Sequence, residues 1–142
     1  MSKESFKIAV SNRKAGFLYH LLEKFEAGLV LTGSEVKSLR DGKGNLVDSY
    51  VIFKGGEIFL LKAHISPYPA ANRMNHEPTR SRKLLLHAKE IERLIGKMKE
   101  KGLTLIPTKI YFKGGRAKVE IALAQGKKLH DKRESLKKKV HQ

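Results

Sequence analysis

Cysteine is missing from all 142 residues, which excludes disulfide staples and zinc–thiolate sites and fits a reducing compartment. No apolar run comes near the roughly eighteen residues a membrane helix needs, and the N-terminal MSKESFKIAV lacks the apolar core of a secretory signal. A cytoplasmic protein without a membrane partner is expected. Acidic residues are also scarce: 14 Asp and Glu stand against 30 Lys and Arg, a formal net charge of +16. A chain this basic repels itself until it meets a polyanion, and nucleic acid is the default partner. An anionic membrane surface fits less well, because the longest amphipathic stretch has no aromatic anchors.

Clustered catalytic groups are lacking too. His64, His76 and His87 stand 12 and 11 residues apart, with no HxH or HExxH pairing. The carboxylates are scattered among lysines, whereas a nuclease needs them together around divalent cations. No phosphate-binding glycine loop is present. The chain therefore reads as a non-enzyme with no catalytic residue, no cofactor and no metal.

What is present is enough apolar sequence, 40%, for one ordinary domain. Two hairpins stand out: Val51 to Leu61, VIFKGGEIFLL, and Ile110 to Ile121, IYFKGGRAKVEI, each an apolar strand, a Lys-Gly-Gly turn and a second strand. In the second, Ala117, Val119, Ile121 and Leu123 alternate with Arg116, Lys118, Glu120 and Ala122, which turns Lys118 away from the core. FKIAV at Phe6 to Val10 and FEAGLVL at Phe25 to Leu31 read as further strands, the second weakened by Gly28, with a short helix expected in FLYHLLEKF between them.

Two more helices are expected. In TGSEVKSLRDG, Thr32 and Glu35 have capping-box spacing, Val36 and Leu39 form an apolar stripe, Lys37 and Arg40 give a basic face expected to bind RNA, and Gly42 stops the helix. In HAKEIERLIGKMKEKG, Ile91, Leu94, Ile95 and Met98 share one face and Gly102 ends it. The stretch from Ser66 to Lys83, with three prolines and five basic residues, reads as a long loop, either functional or disordered. After Gln125 strand periodicity is gone, and Gly126 to Gln142 carries seven Lys and Arg against two acids. The expected organisation is an OB-like antiparallel β-barrel domain over 1–125, with about three peripheral helices, and a basic C-terminal tail over 126–142 that is disordered when free. The cationic surface to present to RNA includes Arg73, His76, Arg80, Arg82, Lys83 and Lys118 together with the tail.

Specific stretches go further than composition. GSEVKSLRDGKGNLVDSYV at Gly33 to Val51, HISPY at His64 to Tyr68, RKLLLHAKEIERLIGKMKEKGLTLIP at Arg82 to Pro107 and GKKLHDKR at Gly126 to Arg133 closely resemble the bacterial SsrA-binding protein (small protein B, SmpB) family, and NRKA at Asn12 to Ala15 fits as well. The resemblance implies an RNA-binding adaptor of trans-translation with no catalytic activity. Such an adaptor binds the tRNA-like domain of transfer-messenger RNA (SsrA RNA). It is delivered with elongation factor Tu and brings that RNA to the decoding centre of stalled ribosomes, so that incomplete peptides are tagged. It also implies roles for residues: Glu35, Leu85 and Lys118 in RNA binding, and Lys128, His130, Asp131, Lys132 and Arg133, beside Lys127, in ribosome contact. Gly16, Phe17 and Leu18 depart from the family pattern.

Each role has a rival. Glu35 also suits a capping-box partner of Thr32, worth about 1 kcal/mol. Leu85, inside a triple-leucine run, suits the core, and Lys118 suits plain solubility. Arg80, Arg82 and Lys83 suit phosphate contacts that position RNA without reading it. The competing function is a non-specific basic RNA-binding or ribosome-associated architectural protein. A monomer is expected in either case.

Overall fold

Two Lys-Gly-Gly turns organise the sheet. Gly55 and Gly56 (φ 60° and 77°) and Gly114 and Gly115 (φ 59° and 79°) all occupy the left-handed region, the geometry of the primed turn that matches strand twist. The first turn joins β4 (Tyr50–Lys54) to β5 (Glu57–Leu61), and the second joins β8 (Leu103–Lys113) to β9 (Arg116–Gly126), as the sequence predicts. The computed structural model describes residues 6–99 and 102–127.

With β1 (Phe6–Ser11), β2 (Tyr19–Leu29) and β7 (Arg82–Leu85), these strands form one seven-stranded antiparallel sheet in the order β1-β8-β9-β2-β7-β5-β4. A second ladder pairs β3 (Gly44–Asn45) with β6 (His64–Ile65). Among the described residues the α-helices are α1 (Ala15–Leu18), α2 (Gly33–Arg40) and α3 (Ala88–Met98), in line with the three or so expected. The expected barrel needs qualification. The sheet curls until β4 packs near β8, yet among the described residues no ladder joins its edge strands, so it stays open.

The concave side holds the core, including Ala27, Leu39, Leu46, Ile58, Leu60, Ile65, Leu94, Ile110, Val119 and Ile121. The helix α3 plugs it with Leu94, while Ile91 and Met98 pack alongside half-buried. Three register shifts move side chains between faces: at Ile8/Val10 in β1, at Leu21/Glu23 in β2 and at Pro107/Lys109 in β8. They account for the faces of β1, a strand as expected, and for one departure from the sequence reading, in β2. In FKIAV, Val10 enters the core while Phe6 and Ile8 are left outside, because the extra residue Ala9 reverses the alternation. In FLYHLLEKF only Phe17 and Leu18 are helical. The strand starts at Tyr19, and Leu22, the extra residue of its bulge, points outward.

The strand β9 and its ladder continue to Gly126, opposite Tyr19, one residue past the expected domain end.

Candidate nucleic-acid interface

The long loop is not loose. The carbonyl of Ser66 accepts from Ser38 Oγ at 2.6 Å, which ties the loop's start to α2. His76 bridges Ser34 Oγ at 2.9 Å and the Ile65 carbonyl at 2.7 Å. The Asn75 side chain closes the loop on itself through both backbone groups of Tyr68, each at 2.8 Å. Within the loop Pro69–Met74 forms a 3-10 helix, regular structure the prolines did not lead one to expect.

The strongest tie is Glu35. Its Oε1 accepts from the Thr32 amide at 2.8 Å, completing the N-terminal cap of α2, and pairs with Arg80 Nη2. Its Oε2 accepts from Arg82 Nε at 2.6 Å and Arg80 Nε at 3.0 Å. The rest of the Arg82 guanidinium donates to the carbonyls of Ala63, Pro78 and Arg80. Burial alone would raise the Glu35 carboxyl, but the bonds from Arg80, Thr32 and Arg82 outweigh it and hold the group below the usual carboxylate range. Burial likewise pulls the Arg82 guanidinium below its ordinary value, against the pull of Glu35, and it remains a cation.

This geometry corrects the reading of Glu35 and Arg82 as surface RNA contacts. Both side chains are fully buried, and neither has a free face for a phosphate or a base. Arg80 is partly exposed and spends its charge on Glu35. Glu35 keeps its reading as the cap partner of Thr32 and, through Arg80 and Arg82, also clamps the loop against α2.

Leu85 and Lys118 are brought together on the convex face. Gly28 in β2 lies opposite Lys118 of β9 on one side and opposite Leu85 of β7 on the other. A Cβ at Gly28 would stand 3.2 Å from Leu85 Cβ, so the glycine leaves the notch in which the leucine lies. Leu85 is 54% exposed, contrary to the core reading of its triple-leucine run. Lys118 lies on the outer face, as the alternation predicts, and borders grooves shared with Arg116, Val36, Glu26 and His87.

Other expected residues lie apart from this pair. Lys83 is on the same face but paired with Glu57 at 3.1 Å. On α2, Lys37 Nζ sits 5.8 Å from the Tyr68 ring and Arg40 caps the Phe112 ring at 4.5 Å. Lys127 is pinned to the end of α1: its amide donates to the Leu18 carbonyl and its Nζ to the Gly16 carbonyl, each at 2.9 Å. The tail residues Lys128, His130, Asp131, Lys132 and Arg133 lie outside the described residues. Gly28 and the outer residues of β1 were missed by sequence reasoning, whereas Arg116 was placed on the outer face but not singled out. Gly28 was visible only as a weak point in a strand, and the β1 residues were hidden by the bulge. Among the described residues no three His, Asp or Glu side chains gather as a metal site, and no helix is long and apolar enough to cross a membrane.

Residues 9–142 match the family model described as SmpB protein. The chain belongs to the SmpB family. It is 59% identical over 140 residues to an SsrA-binding protein of Trichormus variabilis, covering 98% of this chain and 90% of that one. An SsrA-binding protein of Syntrophobacter fumaroxidans is 61% identical over 136 residues, covering 96% and 84%. A solved structure described as "tmRNA-SmpB: a journey to the center of the bacterial ribosome" matches with a TM-score of 0.73 and 47% identity, covering 89% of this chain and 93% of that one. The SmpB relatives thus span nearly the whole chain, including the tail beyond β9.

Proposed function

We propose that this protein is the RNA-binding adaptor of trans-translation: it binds the tRNA-like domain of transfer-messenger RNA and brings it, with elongation factor Tu, to stalled ribosomes in the bacterial cytoplasm. It works as a monomer and by binding alone, without catalysis or cofactor. The observation that carries the reading is the meeting of Leu85 and Lys118 across Gly28, on an open cationic face of a chain with a net charge of +16. Lys118 neutralises phosphate, while Leu85 supplies apolar contact to a ribose or base. Glu35, Arg80 and Arg82 act one step back, holding α2 and the loop in the shape the RNA meets. The domain carries RNA recognition, and the tail from Lys128, with His130, Asp131, Lys132 and Arg133, serves the decoding centre.

Competition binding tests this reading. The tRNA-like domain of transfer-messenger RNA is expected to displace labelled transfer-messenger RNA at far lower concentration than unrelated structured RNAs do at moderate salt. Equal displacement by all of them would instead mark a non-specific architectural protein.

A further inference from the structure

The face that carries Lys118 does not end there. Residues directly opposite in antiparallel strands share a face, and one transverse row runs Leu85, Gly28, Lys118, Tyr111, Ile8 across β7, β2, β9, β8 and β1. Four strand spacings of about 4.8 Å make it some 19 Å long. At its far end Phe6 and Ile8 are 54% and 47% exposed, which is unusual for large apolar side chains on one edge strand.

The Phe6 ring leans on the Tyr111 ring, with centroids 4.9 Å apart and planes tilted by 38°. Tyr111 is itself fixed, since its hydroxyl donates to Glu26 Oε2 at 2.5 Å. Lys109 Nζ stands 5.8 Å from the Phe6 centroid and 5.7 Å from that of Tyr111, and it makes no ion pair among the described residues. Lys113, opposite Phe6, is a second cation, shared with Glu26 at 3.7 Å. The nearby carboxylates are engaged: Glu26 by Tyr111 and Lys113, Glu120 by the Thr108 hydroxyl.

We infer that Phe6, braced by Tyr111 and flanked by Lys109, is a seat for one unpaired RNA base, which stacks on the Phe6 ring while Lys109 takes the adjoining phosphate. A rigid, exposed aromatic with neighbouring cations is the arrangement that holds splayed-out bases without reading them by hydrogen bonds. Continuity with the Lys118 face argues for RNA over a protein partner: the row runs unbroken from Lys118 to Ile8, and Lys109, beside both rings, makes no ion pair among the described residues. The inference rests on the reading that the convex face binds RNA, and it extends that face by two strands.

The full chain, its Phe6→Leu, Phe6→Tyr and Lys118→Ala variants, and the tRNA-like domain of transfer-messenger RNA suffice for the test. Phe6→Leu keeps an apolar contact with Tyr111 but loses the stacking plane. It is expected to weaken binding about tenfold, with Phe6→Tyr close to the unaltered protein. The unaltered chain should also cross-link through the peptide bearing Phe6 to RNA containing 4-thiouridine, a readout that depends on no substitution. If Lys118→Ala weakens binding while Phe6→Leu does not and no such adduct forms, the base seat is wrong and the RNA face stands. If neither variant weakens binding, both fall. Equal losses from Phe6→Leu and Phe6→Tyr would overturn stacking. Normal RNA binding by Phe6→Leu with loss of ribosome rescue would mark a protein-docking surface instead.

Discussion

Glu35 serves as a cap, one of its two readings in sequence, and as a buried counter-ion, which neither reading included. The carboxylate caps α2 and neutralises two arginines, and removing its charge leaves Arg82 buried among carbonyls without a counter-ion. Glu35→Gln is therefore expected to cost about 3 kcal/mol in denaturant unfolding, the magnitude for breaking a buried pair. Because the folded carboxyl lies below its unfolded value, its contribution is fully present above the unfolded value, about 4.3, and is lost as pH falls towards the folded one. Acid titration of stability should thus be flatter below about pH 4.3 in Glu35→Gln than in the unaltered protein. Lys118 lies at the opposite extreme. It is half-buried on the convex face and has no ion-pair partner among the described residues, so Lys118→Ala should leave the melting temperature in place. The same change should weaken transfer-messenger RNA binding and lower the slope of log affinity against log salt by about one, as measured by titration at several salt concentrations.

Among the elements, glycines at close approaches set the geometry. A Cβ at Gly44 in β3 would lie 2.8 Å from Val10 Cγ2 and 3.0 Å from Leu39 Cδ2, where β1, α2 and β3 converge. Gly44→Ala must push these core chains apart and should cost about 1–3 kcal/mol in thermal or denaturant unfolding. At Gly28 the crowded neighbour is the exposed Leu85, which can move. Gly28→Ala should accordingly affect RNA affinity more than stability, a split that binding and melting measurements on one sample would reveal. The hairpins, α2 and α3 were legible in the sequence because turn chemistry and helical spacing are local. The convex face was legible only in part. Lys118 followed from alternation, but Leu85 could not be told from core within its leucine run, since its outward direction depends on pairing with Gly28, 57 positions away. Likewise the strand at Phe6 to Val10 was legible, but the outward direction of Phe6 and Ile8 was not, because the bulge at Ala9 puts them on the face opposite Val10.

For the whole molecule, charge and topology divide the work. A net charge of +16 supplies attraction to any nucleic acid and no selectivity, so on the proposed reading selectivity comes from the fixed spacing of side chains along the row from Leu85 to Ile8. That row needs β9 intact. The β2–β9 ladder runs to Gly126, and Lys127 is bonded to α1 through both its amide and its side chain. A cut after Lys127 therefore spares every described hydrogen bond of the sheet, whereas a cut at Gly126 would remove the last rung. Deletion of residues 128–142 is expected to preserve melting temperature and most of the affinity for the tRNA-like domain while abolishing tagging of nascent peptides on stalled ribosomes. Reconstituted translation of a message without a stop codon, followed by detection of the tag, separates these functions. Normal tagging by the shortened chain would place the ribosomal contact on the folded domain instead of the tail.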